Sequence, residues 1–265
     1  MGKGRVVNEY EVRVWAIRRS GHHAVINWIA SLFDKPVFFC NNVKIGMSPY
    51  SRTPGLRGKE LVSLYYPTWK EPNRVEKFKS MKKQCLIYNH ENKNFKMNGA
   101  PMNESLIGRS SHRFDILIMR DLRNLLASHL VNYKVRWGKI RKVIAPLYQL
   151  YAEEFLGETN YLQYQPVKIW FDQWVQSEEY RIKKAEELGF KNKDWSLQYM
   201  ANFYKRGSHF DKYHDYYNRA HEMEVTKRYK MVEETPRYLF FMKKNKHLLN
   251  LSKTIHEREG GIYNA

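Results

Sequence analysis

The sequence predicts an α/β protein: a mainly parallel sheet flanked by helices in three layers, with a P-loop-like strand, loop and helix near its start. Short apolar segments recur along the 265 residues with helical stretches between them, which is typical of strands joined by helical crossovers. Hydrophobic residues make up 43% of the chain and aromatic residues 15%, which is enough for a packed interior. No linker separates two cores, so we expect one domain over residues 1–265.

Five segments are predicted as strands, because each is short and apolar and is followed by turn or helix signals. They are residues 12–17, 37–40, 85–88, 114–119 and 167–171. The first of them is interrupted only by Arg13. The helical stretches between these segments favour a largely parallel sheet.

Four helices are predicted from apolar spacing and from capping residues. After the first strand, apolar residues recur at helical spacing, at Val25, Trp28, Ile29 and Leu32. Leucines 122, 125, 126 and 130 do the same after residue 119. A helix over residues 177–188 has Ser177 as its N-cap and Gly189 as its end. Near the end of the chain, Thr235 and Pro236 suit an N-cap and a first helical position.

Residues 41–75 follow neither pattern, because prolines and glycines recur throughout them. So long a stretch without regular structure is uncommon in a compact domain unless it forms a lid or a binding loop. We therefore expect this stretch to be a lid or to contact a ligand.

The charge balance predicts an anionic partner. Lysine and arginine outnumber aspartate and glutamate by 46 to 27, giving a net charge of +19. Nucleic acid, an acidic membrane surface and a multiply charged small molecule all fit this charge, as does a generally basic solvated surface.

The location of the protein is predicted from what the chain lacks. No apolar run approaches the roughly 18 to 20 residues that a spanning helix needs, and the first residues do not form a signal peptide. Two cysteines, Cys40 and Cys85, exclude a disulfide framework and favour a reducing compartment. These observations lead us to expect a cytoplasmic protein without a membrane span.

The first candidate site lies between the first strand and the first helix. It consists of Arg18, Arg19, Ser20, Gly21, His22, His23 and Ala24. Free backbone N–H groups at a helix N-terminus attract anions, and a glycine lets the backbone approach a ligand closely. The same pattern also occurs in proteins without a ligand. It is not an ATP-type P-loop, because no Lys-Ser/Thr pair follows the glycine to hold phosphate and magnesium, so no metal is expected.

Two further segments could hold an anion. Arg120 follows the fourth strand, at the sheet edge where α/β proteins bind ligands, and Ser128 lies eight residues later on the following helix. An Arg120–Asp121 pair with a solvated Ser128 is the simpler interpretation of that segment taken alone. Lys205, Arg206 and Gly207 form a basic turn that suits a phosphate, although an ordinary exposed loop would look the same.

Together these three segments resemble the sulfotransferases that use 3′-phosphoadenosine-5′-phosphosulfate (PAPS) as donor. In that family a [KR]-S-G-T-T loop cradles the 5′-phosphosulfate, and residues 19–23 resemble it with histidines in place of the two threonines. An R-D-P-R-D segment with a serine eight residues after its first arginine binds the 3′-phosphate, and Arg120 and Ser128 match this spacing. Residues 205–207 resemble the R-K-G segment that completes that site. Ala24 replaces a tryptophan that stacks on adenine in some members.

The resemblance implies sulfuryl transfer from PAPS to an acceptor hydroxyl or amine, with adenosine 3′,5′-bisphosphate (PAP) as product and no metal. Arg19 would stabilise the leaving oxygen. His90, after the third strand, is the first choice for the general base, Glu91 is the reserve, and His22 and His23 are rivals. An anionic glycan is one candidate acceptor, because residues 41–75 combine basic and aromatic side chains.

Three other functions also fit this sequence. One alternative is a nucleic-acid- or polyanion-binding protein, although basic residues are spread along the chain and no recognition module is present, so nucleic acid is not expected. An atypical P-loop kinase and a nucleotide-binding protein without catalysis are two more. The oligomeric state is not predicted.

Overall fold

A computed structural model describes residues 5–35, 37–51, 55–57, 74–97, 104–133, 137–191 and 224–261. In this part of the chain a six-stranded sheet has the order β3-β2-β4-β1-β5-β6. The strands are β1 (Val6–Ala16), β2 (Val37–Cys40), β3 (Gly55–Arg57), β4 (Lys83–Glu91), β5 (Arg109–Met119) and β6 (Val167–Trp170). All neighbouring pairs are parallel except β2 and β3, which are antiparallel.

Helices flank the sheet, so the predicted α/β class is confirmed. The helices are α1 (His22–Ser31), α2 (Arg74–Ser80), α3 (Glu104–Ile107), α4 (Leu122–Tyr133), α5 (Trp137–Lys139), α6 (Ala145–Leu156), α7 (Phe171–Gln176), α8 (Glu178–Glu187), α9 (Pro236–Lys244) and α10 (Lys246–Arg258). A π-helical turn at Ile140–Ile144 joins α5 to α6. The structure has no helix, in the ranges it describes, that is long and apolar enough to span a membrane.

Residues 12–16 of the central strand β1 are buried on both faces of the sheet, which explains why this part of the strand is apolar at every position but one. Val14 and Trp15 are fully buried. The exception is Arg13, whose Nε lies 2.5 Å from Oδ1 of Asp115 and whose Nη2 lies 2.8 Å from Oδ2. A charge in the middle of the sheet is tolerated here because it is paired in a bidentate geometry.

Most predicted elements are present, with shifted ends. The first strand begins at Val6 rather than at residue 12, and the last ends at Trp170, since Phe171 is the first residue of α7. Helix α8 follows Ser177 as predicted, and the Ser177 hydroxyl accepts a hydrogen bond from the Tyr180 N–H at 3.0 Å. Thr235 precedes α9, but its hydroxyl donates to the Val232 carbonyl and does not cap the helix.

Residues 41–75, expected to lack regular structure, contain some. A 3₁₀ turn at Pro49–Ser51 and strand β3 lie in this stretch, and α2 begins at its end. β3 extends the sheet by one short antiparallel edge strand, which the apolar pattern did not indicate. The other residues of this stretch from 52 to 73 lie outside the described part of the chain.

The strand order determines where a ligand site can form. From β1 the chain passes to β2 on one side of the sheet, and later crosses from β4 to β5 on the other side of β1. The carboxyl ends of β1, β4 and β5 therefore meet where the direction of winding reverses. That position is the usual ligand-binding crevice of an open α/β sheet.

Candidate functional site

The loop from β1 to α1 lies at this crevice and has the backbone of a tight phosphate-type loop. Arg19 has φ 75° and Gly21 has φ 85°, both in the left-handed region. The Ser20 N–H donates to the Ile17 carbonyl at 3.1 Å, which closes the turn. Gly21 is the N-cap of α1 and has no side chain to accept from the first amides of the helix. Those N–H groups and the positive end of the helix dipole suit an anion.

The ring of Phe171 packs against the β1–α1 loop at Gly21. A Cβ atom on Gly21 would lie 2.2 Å from Cε2 of the Phe171 ring, so the ring fills that space. The Arg120 guanidinium lies over the same ring, 5.2 Å from its centroid. The start of α7 thus fixes the position of both the loop and the arginine after β5.

Arg120, in the second candidate segment, hydrogen-bonds to the first candidate segment, the β1–α1 loop. It is 2% exposed, and its Nη1 donates to the Arg19 carbonyl at 3.2 Å, while its Nη2 donates to the Val225 carbonyl. Burial lowers the pKa of Arg120, and the carboxylates of Asp172 and Asp121 act in the opposite direction.

Ser128 and Ala24 are the remaining described residues of the predicted donor site. Ser128 is 1% exposed in α4, the helix that follows Arg120, and Ala24 is half-buried in the first turn of α1. The third candidate segment, Lys205, Arg206 and Gly207, lies outside the described residues. The structure therefore brings residues 18–24 and Arg120 together and buries Ser128 on the adjoining helix.

Several buried polar atoms around this loop have no hydrogen-bond partner among the residues that the structure describes. They include Oγ of Ser20, Nδ1 of His22 and Nε of Arg120. Buried polar groups in native proteins nearly always have a hydrogen-bond partner, so a buried polar atom without one needs an explanation. Phosphate or sulfate oxygens would accept from the Ser20 hydroxyl and from Nε of Arg120, and from Nδ1 of His22 when that nitrogen carries a proton, so a nucleotide with such groups fits the residues present.

Glu91 lies at the end of β4, beside the loop, because it pairs in register with Ala16. Its Oε2 accepts from Nε of Arg18 at 2.9 Å. Its Oε1 lies 3.1 Å from Nε2 of His22 and 3.4 Å from Nε2 of His23. Burial would raise the pKa of Glu91, but the hydrogen bonds from the two histidines and Arg18 outweigh it and hold that pKa far below its ordinary value.

Two residues that the sequence reasoning missed hold the backbone of the loop. The Asn92 side chain accepts from the Arg18 N–H at 2.8 Å, and the Asn92 N–H donates to the Ala16 carbonyl at 3.0 Å. His129 of α4 hydrogen-bonds the backbone of Arg18, and burial lowers the pKa of His129 to about 4. Asn92 could have been predicted as a turn residue, because it directly follows a strand and asparagine tolerates a positive φ such as the 53° found here. His129 offered no comparable signal.

His90 lies on the other side of the sheet from Glu91, because neighbouring residues of a strand point to opposite faces. Its Nδ1 lies 2.8 Å from the Val43 carbonyl, and its ring lies 4.5 Å from the ring of Trp15. Burial lowers the pKa of His90 to about 4. Of the four predicted candidates for the base, Glu91, His22 and His23 therefore lie together at the β1–α1 loop, whereas His90 lies on the other side of the sheet.

A separate cavity of about 380 Å³ lies between the π-helical region and α9. Aromatic and basic side chains line it, among them Trp137, Phe240, Arg141, Arg237 and Lys244. It shares no residue with the β1–α1 loop.

Comparison with known proteins supports the fold. No family model matches the chain, and no curated protein matches its sequence. Among solved structures, the chain is similar to the crystal structure of mouse sulfotransferase SULT7A1 complexed with PAP, at 12% sequence identity. The match covers 94% of this chain and 89% of that one, with a TM-score of 0.52. At this identity the similarity concerns architecture, so the chain has a sulfotransferase-like α/β fold.

Proposed function

We propose that the protein is a PAPS-dependent sulfotransferase that acts on a hydroxyl or amine of its acceptor. The main support is a group of buried polar atoms, in Ser20, His22 and Arg120, that have no hydrogen-bond partner among the described residues. They surround the N-terminus of α1, where no side chain caps the helix. The similarity to the fold of a sulfotransferase crystallised with PAP supports the identity of the ligand.

The 5′-phosphosulfate is proposed to bind at the β1–α1 loop. The first amides of α1, the Ser20 hydroxyl and Nδ1 of His22 are the donors, with His23 and Arg18 at the edge of the loop. Arg19 stabilises the negative charge on the leaving oxygen by its charge and its hydrogen bonds, since a guanidinium does not give up its proton at neutral pH.

The 3′-phosphate is proposed to bind at Arg120 and Ser128, with Lys205, Arg206 and Gly207 completing the site. Arg120 now donates to a carbonyl of Val225, so binding requires that phosphate oxygens replace this acceptor. The exchange is favourable because a phosphate oxygen carries negative charge and forms an ion pair with the guanidinium, whereas the Val225 carbonyl is a neutral acceptor.

The chemistry that the donor supplies is an activated sulfuryl group. The acceptor oxygen forms a bond to sulfur, the bond from sulfur to the bridging oxygen of PAP breaks, and a base takes the acceptor's proton. We assign the base to His90, because donation from its Nδ1 to the Val43 carbonyl leaves Nε2 as the proton acceptor. The His90 side chain is buried on the other side of the sheet from Glu91, so this assignment requires that acceptor binding open a path from Nε2 to the sulfuryl group. Both carboxylate oxygens of Glu91 are engaged by Arg18 and the two histidines, which makes it the weaker candidate. His90→Gln should therefore abolish transfer and preserve PAP binding.

For the acceptor, we propose an anionic glycan. Lys44 is exposed in the loop after β2, close in sequence to Val43, whose carbonyl contacts His90. An exposed basic side chain on this loop would attract a sulfated or carboxylated sugar.

Calorimetric titration with PAP, in EDTA, tests the donor site. We expect PAP to bind at least tenfold more tightly than ATP does in a separate titration with magnesium and without EDTA, and Arg120→Ala or Ser128→Ala to weaken PAP binding at least tenfold. Arg258→Ala is the matched control, because Arg258 also donates to a carbonyl, that of Leu156, away from the loop. Equal affinity for PAP and ATP would contradict the proposal. Binding that falls steeply with salt and does not discriminate among nucleotides would favour a polyanion-binding protein instead.

A further inference from the structure

The sequence reasoning assigned no metal ligands, yet the fold brings three side chains of the right type together. His22 and His23 open α1, and Glu91 ends β4. One potential ligand atom from each of them lies within 4.8 Å of the other two. The pairing of β4 with β1 creates this cluster, because it places Glu91 opposite Ala16, just before the loop.

The distances agree with those of a metal site. Ligand atoms bound about 2.0–2.1 Å from Zn²⁺ in a tetrahedral arrangement are about 3.3 Å apart. In the structure, Oε1 of Glu91 lies 3.1 Å from Nε2 of His22 and 3.4 Å from Nε2 of His23. Two of the three distances between these ligand atoms therefore already match those of a tetrahedral zinc site.

The surroundings suit an open site. The side chains of His22 and Glu91 are 4% and 6% exposed, whereas that of His23 is 36% exposed, so the cluster is closed on one side and reachable from the other. Three protein ligands with an accessible fourth position are typical of zinc sites that bind water or substrate.

Arg18 orients the carboxylate. Its Nε donates to Oε2, the oxygen that does not face the histidines, as carboxylate ligands of metals are commonly held by a second hydrogen bond. Its charge would also repel a cation, but its side chain is 44% exposed and solvent screens that repulsion.

We propose that Nε2 of His22, Nε2 of His23 and Oε1 of Glu91 bind a divalent transition-metal ion, with Zn²⁺ as the best match. Two imidazoles and one carboxylate suit Zn²⁺, whereas Mg²⁺ and Ca²⁺ prefer oxygen ligands. Nδ1 of His22 remains available to donate a hydrogen bond to an anion at the β1–α1 loop. The inference does not rest on the proposed sulfuryl transfer, since it uses only the geometry of the three side chains.

Zinc titration of the chelator-treated full chain, in competition with a chromogenic chelator, tests the site. We expect about one Zn²⁺ per chain, and affinity at least tenfold lower in His22→Ala, in His23→Ala and in Glu91→Gln. Co²⁺ in place of Zn²⁺ should give the intense visible bands of a four-coordinate ion, and Glu91→Gln should weaken them. His247→Ala, which removes an exposed histidine of α10, should change neither signal.

Thermal melts without metal separate loss of ligands from loss of folding. Glu91→Gln keeps the size of the side chain, so a folded Glu91→Gln protein that binds Zn²⁺ as the parent does would overturn the proposal. An absence of stoichiometric Zn²⁺ binding in the parent protein would do the same. Neither result bears on PAP binding measured in EDTA, so failure of the metal site and failure of the donor site are distinguishable.

Discussion

The ring of Phe171 fills the space in which a Cβ atom on Gly21 would lie, since that atom would be 2.2 Å from Cε2 of the ring. Gly21 also has φ 85°, a conformation that residues with a Cβ rarely adopt. Glycine is thus required here both by its backbone and by packing against the start of α7. The contact couples the β1–α1 loop to the strand that ends at Trp170.

Gly21→Ala should destabilise the protein by about 2–4 kcal/mol, because it adds an overpacking cost to the cost of a positive φ. Chemical denaturation measures this loss. Gly46→Ala is the matched control: Gly46 has φ 75° but nothing within 4 Å of its Cβ position, so about 1 kcal/mol is expected. Equal losses of unfolding free energy in the two variants would show that the clash with Phe171 adds nothing to the cost of the positive φ.

Ser20→Ala should separate folding from binding. The Ser20 hydroxyl is buried without a partner in the described part of the chain, so its removal should leave the melting temperature unchanged or raise it. The same change should weaken PAP binding about tenfold, because a donor to the ligand is lost. Ser252→Ala is the contrasting variant, since the Ser252 hydroxyl accepts from the Leu122 N–H at 3.1 Å and should be needed for stability. Unchanged PAP affinity in Ser20→Ala would remove that hydroxyl from the donor site.

Asp115→Ala should be among the most destabilising single changes in the sheet, at about 3–5 kcal/mol, because it leaves the buried Arg13 charge uncompensated. Asp115 also accepts from Nε1 of Trp15 at 3.2 Å and from the Tyr164 N–H at 3.1 Å. Urea denaturation gives the loss. Glu257→Gln breaks the exposed pair with Lys253 and should cost less than about 0.5 kcal/mol. A similar cost for the two changes would mean that the buried pair contributes no more than a surface pair.

His129 should make stability depend on pH. Its pKa is lowered to about 4 by burial, below the ordinary histidine value of 6.5, so the unfolded chain binds the proton more readily. The stability due to neutral His129 is therefore complete above pH 6.5 and is lost as the pH falls towards 4. The difference between these pKa values corresponds to about 3 kcal/mol.

Denaturation at pH 7 and at pH 4.5 of the parent and of His129→Gln measures this effect. Glutamine can still donate to the Arg18 backbone but does not titrate, so the variant should lose less stability on acidification than the parent. A parallel loss in both proteins would show that His129 does not titrate on unfolding.

Much of the sheet and several helices were predictable, because their signals are local. The apolar spacing after residue 21 determined α1, and Ser177 with Gly189 marked both ends of α8. Strand β3 was not predictable, since three residues at a sheet edge carry too little pattern. Phe171 was assigned to a strand because it continues an apolar run, whereas the structure uses it to begin α7 under Gly21.

The contacts of the site were less predictable, because they depend on strand order. The loop after β1 was found from its residue types, and Arg120 from its place after a strand. That Glu91 would contact His22 and His23, while His90 would face away from them, follows from the pairing and register of β4 with β1. Local sequence patterns do not indicate which strands pair or in which register.

A crystal structure of the protein with PAP would show whether the β1–α1 loop is the donor site. We expect the 5′-phosphate against the first turn of α1, within hydrogen-bond distance of the Ser20 hydroxyl, and the 3′-phosphate on Arg120 in place of the Val225 carbonyl. A nucleotide seated instead in the cavity lined by Trp137, Arg141 and Phe240 would contradict it, since the β1–α1 loop would then not be the donor site.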